Sequence, residues 1–366
     1  LAVGGNGPTA NCESWNGSAW TEVANVSTAG TRESAAAGAD NKSGLAITGN
    51  ASEEWSFPSA PGAQVGQVWF NTASATLKGY AAQGTGAWAS GGSVNTGRFG
   101  QGGTGSQDAA IIFGGATPTY VANVETYDGS SWTEVGDLNT ARGYISSAGT
   151  STASLAYGGL APPSNTHKAI TESWNGSSWT ETGDVNTARR EASGSPAGTT
   201  TAALMTGGHT PSKTAICEQW NGSAWTEVAD LNTARGGATN IGTSTANIFG
   251  GGETAPGPDS VDTESWDGTA WTEVANFPAT SKEAGASGGL SNSGFLAGFG
   301  GGGVPTTECD VWNGSAWSEI AELSTGRQRG GGAGNSVSAA IASGTGISTA
   351  TEEWTVPGAT KTLTTT

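Results

Sequence analysis

The chain repeats itself at a fixed period. The octapeptide WNGSAWTE at 15–22 returns as WNGSSWTE from Trp174, WNGSAWTE from Trp220, WDGTAWTE from Trp266 and WNGSAWSE from Trp312. Trp132, Trp179, Trp225, Trp271 and Trp317 stand 47, 46, 46 and 46 residues apart. A constant spacing of this size marks a repeat architecture, in which each unit leaves an apolar face that only its neighbour can cover.

One unit shows what repeats. From Gly236 the chain reads as four short strands, roughly GATNIG, TANIFGG, VDTESW and AWTEVA, separated by turn residues. Glycine numbers 61 and charged residues are only 12% of the chain, which suits many strands and tight turns and argues against helices or an acidic disordered tail. The last two strands are joined by Asp267-Gly268, and in sister units by Asn-Gly. This is a hairpin signal resting on positive φ at both central residues. An even-length loop puts Trp266 and Trp271 on one face, with Glu264 two residues earlier beside them. The tryptophans then form an apolar plate that one small sheet cannot bury alone.

A four-stranded antiparallel unit of this length, repeated around an axis, is a β-propeller blade. The double glycines closing the second strands (IFGG at 112–115, AYGG at 156–159, MTGG at 205–208, IFGG at 248–251, GFGG at 298–301) resemble the kelch repeat. So does the aromatic-then-tryptophan pair, such as Tyr127 and Trp132. The expected fold is therefore all-β, a kelch-like propeller of four-stranded antiparallel blades. The "NTAR"-like signature at the end of each fourth strand falls at Arg32, Arg98, Arg142, Arg189, Arg235, Lys282 and Arg327, which predicts seven blades. Eight is the alternative, with a strand missing before Leu1. One propeller is expected over 1–357, closed by strands from both termini, with a Thr-rich tail or strand at 358–366.

The second repeat is interrupted by an inserted hairpin at about 58–90. Gln67 to Tyr80 alternates as QVWFNT…ATLKGY and resembles small hairpin modules of tail and fibre proteins of bacterial viruses.

Chemistry is sparse. Net charge is −17, from 14 Lys and Arg against 31 Asp and Glu, which argues against nucleic acid and anionic membranes as partners. No apolar run is long enough to span a bilayer. No leader peptide is read at Leu1, which is either a processed or an incomplete start. Cys12, Cys217 and Cys309 occupy one slot of three repeats, where Val124, Thr171 and Thr263 stand in others. They are expected as small buried residues, without disulfides. His167 and His209 fall in different slots and read as solvated loop residues. Tyr80, Tyr120, Tyr127, Tyr144 and Tyr157 form no ligand pattern. No catalytic residue, metal ligand or cofactor is predicted. Glu22, Glu134, Glu181, Glu227, Glu273 and Glu319 recur once per unit and report architecture, whereas a glycosidase pair should break the symmetry. The recurring arginines are expected to bond between blades and pair with Glu. The alternative is an inward ring of guanidinium groups that binds an anion. The sequons at Asn16, Asn175, Asn221 and Asn313 are explained by the turn.

Together these features predict a non-enzymatic structural or adhesion protein of a bacteriophage virion: a fibre, spike or surface decoration. Its partners would be other virion proteins, copies of itself or host-surface glycans. The contacts would come from the variable loops between second and third strands. The alternative is a secreted, extracellular propeller lectin or carbohydrate-active enzyme.

Overall fold

In the computed structural model, residues 85–254, 257, 259–277, 285–300 and 304–357 are described in full, and Gly301 by its backbone. The strands within 2–82 and 358–363 are described by their backbone, with the side chain of Ala82 added. Leu1–Ala81 and Gly358–Thr366 pack together as one compact unit, and Ala82–Pro357 forms a second; one unit over 1–357 was the expectation.

The first unit holds three small sheets among its described residues. Ala2–Val3, Cys12–Trp15 and Trp20–Val23 form one, and Ser34–Ala37, Ser43–Thr48 and Ala51–Ser56 another. The expected hairpin is present: Val68–Asn71 pairs antiparallel with Thr76–Ala82, with Val68 opposite Gly79. The expected Thr-rich tail contributes a strand, Gly358–Leu363, beside Thr76–Ala82.

The second unit is the propeller. Blade 1 consists of Gly102–Ser106, Ala109–Phe113, Val124–Tyr127 and Trp132–Val135. Blade 2 consists of Ser146–Thr150, Ala153–Tyr157, Thr171–Trp174 and Trp179–Glu181. In blade 3 the strands are Ala203–Thr206, Cys217–Trp220 and Trp225–Val228, and two isolated bridges, Ser193 to Thr206 and Thr199 to Ala202, stand in place of a regular inner strand. Blade 4 runs through Thr239–Gly242, Asn247–Gly250, Thr263–Trp266 and Trp271–Val274. Blade 5 runs through Ala286–Leu290, Ser293–Ala297, Cys309–Trp312 and Trp317–Glu319. Blade 6 takes Gly331–Asn335, Ser338–Ala342 and Thr351–Thr355 from the end of the unit, and its fourth strand, Ala87–Ser90, from the beginning.

The ring therefore has six blades, not seven or eight. The seventh signature, at Arg32, belongs to the segment grouped with the first unit and itself lies outside the described residues, as does Lys282. Closure by strands from the two ends of the ring holds, but it is made by Ala87–Ser90. Sharing one blade removes the free sheet edges that an open ring would expose.

The tryptophans behave as their spacing predicts. Trp174 lies opposite Trp179, Trp220 opposite Trp225, Trp266 opposite Trp271 and Trp312 opposite Trp317. Their ring centroids are 5.2–5.5 Å apart. The turn between them differs from the two-residue type. It has four residues, Asn175 Oδ1 accepts from the Ser177 and Ser178 amides at 2.9 and 3.0 Å, and of the pair only Gly176 takes positive φ, at 94°. Each plate packs on the preceding blade. Phe113 of blade 1 meets Trp179 of blade 2 edge-on at 5.0 Å, and Tyr157 of blade 2 meets Trp225 of blade 3 at 4.8 Å. Burial of the apolar plates is thus obtained between blades rather than within them.

The cysteine slot now acquires a role. Cys217 and Cys309 are buried and free, and burial pushes both thiols up to about 12. Where the slot holds Thr, its hydroxyl accepts the indole N–H of the next blade. Trp132 donates to Thr351 at 2.9 Å, Trp225 to Thr171 at 3.1 Å and Trp317 to Thr263 at 3.2 Å. Beyond the cysteines the indoles turn to backbone: Trp271 to Ala229 O and Trp88 to Ala321 O. Val124 offers no acceptor, and the buried Trp179 Nε1 has no partner among the described residues. Because an unsatisfied buried donor costs about 1–3 kcal/mol, Val124→Thr should stabilise the propeller by about 1 kcal/mol. That gain raises Tm by about 2–4 °C. Calorimetry of Val124→Thr beside Thr171→Val decides it: a fall in the first, or no loss in the second, removes the acceptor role.

Candidate functional site

Each fully described linker between blades is a clamp. Asn186 donates its backbone N–H and its Nδ2 to Glu218 Oε2 at 2.6 and 2.9 Å, and Nδ2 also reaches Trp225 O at 3.1 Å. Arg189 then places Nη1 2.5 Å from Glu218 Oε1. The same pair recurs as Arg98–Glu125 at 3.1 Å, Arg142–Glu172 at 2.6 Å, Arg235–Glu264 at 2.6 Å and Arg327–Glu352 at 2.5 Å. These guanidinium groups are buried. Desolvation pushes Arg98, Arg142, Arg235 and Arg327 below the usual range, and the partner glutamate opposes it. The alternative of an inward arginine ring is therefore overturned for these five. Their partner is the glutamate two residues before the first aromatic of the pair, whereas the glutamates of the WTE motif that are described (134, 181, 227, 273, 319) are exposed.

Two residues beyond each clamp arginine, the backbone turns left-handed: Gly100 (φ 66°), Tyr144 (57°), Glu191 (50°), Gly237 (65°) and Arg329 (59°). These residues surround one mouth of the channel. Their backbones are tied together, Gly100 N to Arg329 O at 2.9 Å, Tyr144 N to Gly100 O at 2.6 Å and Gly237 N to Glu191 O at 2.9 Å. Side chains other than glycine in this region are uncommon and concentrate at functional sites.

What the repeat cannot explain gathers here. Arg329 lies 3.8 Å from Glu191 and over the Tyr144 ring at 5.4 Å. Glu191 also meets His209 Nε2 at 3.2 Å and Arg190 Nε at 3.8 Å. Beside them Lys213 Nζ pairs with Glu253 at 2.6 Å. The loops carrying His209 and Glu253 join the second and third strands, and they are stitched to the linkers by the bridge between Arg190 and His209 and by the pairing of Gly236 with Glu253. His209 is thus not the solvated loop residue expected from sequence: its side chain is 13% exposed. Burial lowers His209 below the ordinary histidine range, with Glu191 and Glu253 opposing and Arg190 and Lys213 reinforcing. A depressed folded value means stability is fully present above the unfolded pKa near ~6.5 and is lost as pH falls through the folded one. Denaturant titrations at stepped pH should show that loss in the parent and less of it in His209→Gln.

The mouth is a blind cup. In blade 3 the inner-strand slot reads SGSPAGTT, and this segment reaches into the channel. Thr104 Oγ1 of blade 1 donates to Pro196 O at 3.0 Å, and Ala197 N donates to Gly242 O of blade 4 at 3.1 Å. Pro196 lines both a cavity of ≈ 130 Å³ on the mouth side and one of ≈ 490 Å³ on the other side. The second is lined by small uncharged residues such as Ala109, Thr150, Thr199 and Ser293. Proline in an inner-strand position is the sequence signal that could have announced this departure from the repeat. Among the described residues no group of three or more His, Cys, Asp or Glu could hold a metal ion.

No family model and no curated protein matches the chain. Among solved structures, one titled "Structure of YjhT" superposes with a TM-score of 0.56 at 17% identity, covering 74% of this chain and 99% of that one. A likeness at that identity concerns the fold alone.

Proposed function

We propose that this chain is a non-enzymatic adhesion and scaffolding propeller, which meets its partner through the charged mouth and the loops around it. The observation that carries this reading is the one-sided placement of residues that break the repeat. Tyr144, Arg190, Glu191, His209, Lys213 and Arg329 meet at one mouth, and the cavity behind Pro196 is lined without charge. A rigid ring with one chemically distinct face suits display and binding. We read the blades as kelch-type, on their double glycines: Gly114 and Gly115 sit at φ 62° and 102°, and a Cβ on Gly114 would fall 2.5 Å from Arg142 O.

The near-identical repeats and the 67–80 hairpin support a place on a bacterial-virus particle, beside other virion proteins. Adsorption of the purified chain to host cells, together with immunogold imaging of particles, tests both parts. Blank adsorption removes the adhesive role, and unlabelled particles remove the virion. One observation favours the second reading, a carbohydrate-active enzyme: Glu191 and His209 lie side by side at the mouth. Hydrolysis across a polysaccharide panel, abolished by Glu191→Gln, would establish it. The adhesion reading expects no turnover, since both Glu191 and Glu253 are engaged by basic side chains.

A further inference from the structure

The cup holds two buried amides that are only half bonded. Gln101 is 6% exposed; its Nε2 donates to Ala342 O at 3.0 Å, and its Oε1 accepts nothing among the described residues. Asn240 is 2% exposed; its Nδ2 reaches Ser193 O and Thr206 Oγ1 at the long distances of 3.5 and 3.4 Å, and its Oδ1 likewise accepts nothing. Both residues line the ≈ 130 Å³ cavity, with Ser146, Ser193 and Thr239 beside them. Buried acceptors of this kind are normally satisfied, so the cup favours an occupant that brings hydrogen-bond donors.

Charge argues for a neutral occupant. Arg190 and Arg329 each stand 3.8 Å from Glu191, and Lys213 stands 2.6 Å from Glu253. A carboxylate or phosphate would have to displace these glutamates from their basic partners. A hydroxyl needs no such exchange, because it donates to an amide oxygen while accepting from a serine or threonine. The Tyr144 ring, under Arg329, adds an apolar surface at the rim. Size restricts the ligand further. A cavity of ≈ 130 Å³ is close to the ~150 Å³ that takes up one benzene ring, enough for one small ring and not for an oligosaccharide.

We propose that the cup binds the terminal neutral sugar of a glycan, entering edge-first, with the Gln101 and Asn240 side chains turning so that Oε1 and Oδ1, which are closed to solvent, accept from its hydroxyls. This rests on the adhesion reading and names the chemistry of its ligand.

The test titrates the full chain with glucose, galactose, N-acetylglucosamine and glucuronate by ligand-observed NMR. A neutral sugar should bind saturably, with an affinity insensitive to salt. Gln101→Met or Asn240→Ala should weaken it about tenfold, the equivalent of one hydrogen bond of ~1.4 kcal/mol. Thermal melts should show each variant still folded at a cost of a few degrees, since beside the unpartnered acceptor Gln101→Met gives up one bond to Ala342 O and Asn240→Ala two long ones. Binding by none of the neutral sugars overturns the proposal. So does a preference for glucuronate that falls steeply with salt, or binding untouched by both variants. Sugar binding lost while cell adsorption persists would sink the cup alone and leave the adhesion reading standing.

Discussion

Replacing Glu218 with alanine should cost the propeller about 3–5 kcal/mol, more than any substitution of an exposed carboxylate. The side chain is fully buried and accepts from four donors on one linker: Asn186 N, Asn186 Nδ2, Thr187 N and Arg189 Nη1. Removing it strands a buried guanidinium and leaves the linker's amides without an acceptor. Glu227, the glutamate of the WTE motif in the same blade, is exposed, and its loss should fall within ~0.5 kcal/mol. Urea unfolding of Glu218→Ala beside Glu227→Ala separates the two roles. Equal costs would mean that the linker is held by something other than this carboxylate. Replacing Arg189 and Glu218 together by apolar residues should restore part of the loss, because the uncompensated charge goes with its partner.

This clamp also shows how much the chain declares in advance. The blade is legible because its tryptophans recur at a strand-pair spacing, and geometry leaves them one face. That arginine pairs between blades is legible too, since it recurs at five of the six linkers, with Lys282 at the sixth. Which glutamate it meets is not, because both recurring glutamates occur once per unit and only the register decides which of them turns inward. The blade number misled for a related reason. The segment around Trp15 and Arg32 carries the same motif as true blades, and motif identity says nothing about which neighbours a sheet finally packs against. The mouth was hidden most deeply. Tyr144, Glu191 and Arg329 are equivalent positions in three blades, separated by 47 and 138 residues, and nothing in their identities announces a common site. Their shared signal is positional, two residues past the clamp arginine, and it becomes readable only once that arginine is recognised as the end of a linker.

Trp354→Ala should be as damaging as the loss of the clamp, and its damage should begin at the point of closure. Trp354 is 2% exposed, lies opposite Trp88 with ring centroids 5.6 Å apart, and donates to Ser336 O at 3.0 Å. Truncating a buried tryptophan costs about 3–5 kcal/mol. Trp266 in blade 4 is equally buried, but its partner strand follows after a short turn capped by Asp267. Chain connectivity keeps that strand at hand when packing is lost. No hairpin turn joins Ala87–Ser90 to Thr355; outside the ring the two are held, among the described residues, only by the pairing of Gly358–Leu363 with Thr76–Ala82. Where that pairing opens, the strand's return requires closing a loop of the whole ring, which is entropically dearer than a hairpin. Hydrogen exchange should therefore show early opening confined to Ala87–Ser90 in Trp354→Ala, with Trp266→Ala showing only the global loss. Matching exchange patterns in the two variants would mean that closure is no weaker than any other blade contact, and that the ring opens at no preferred seam.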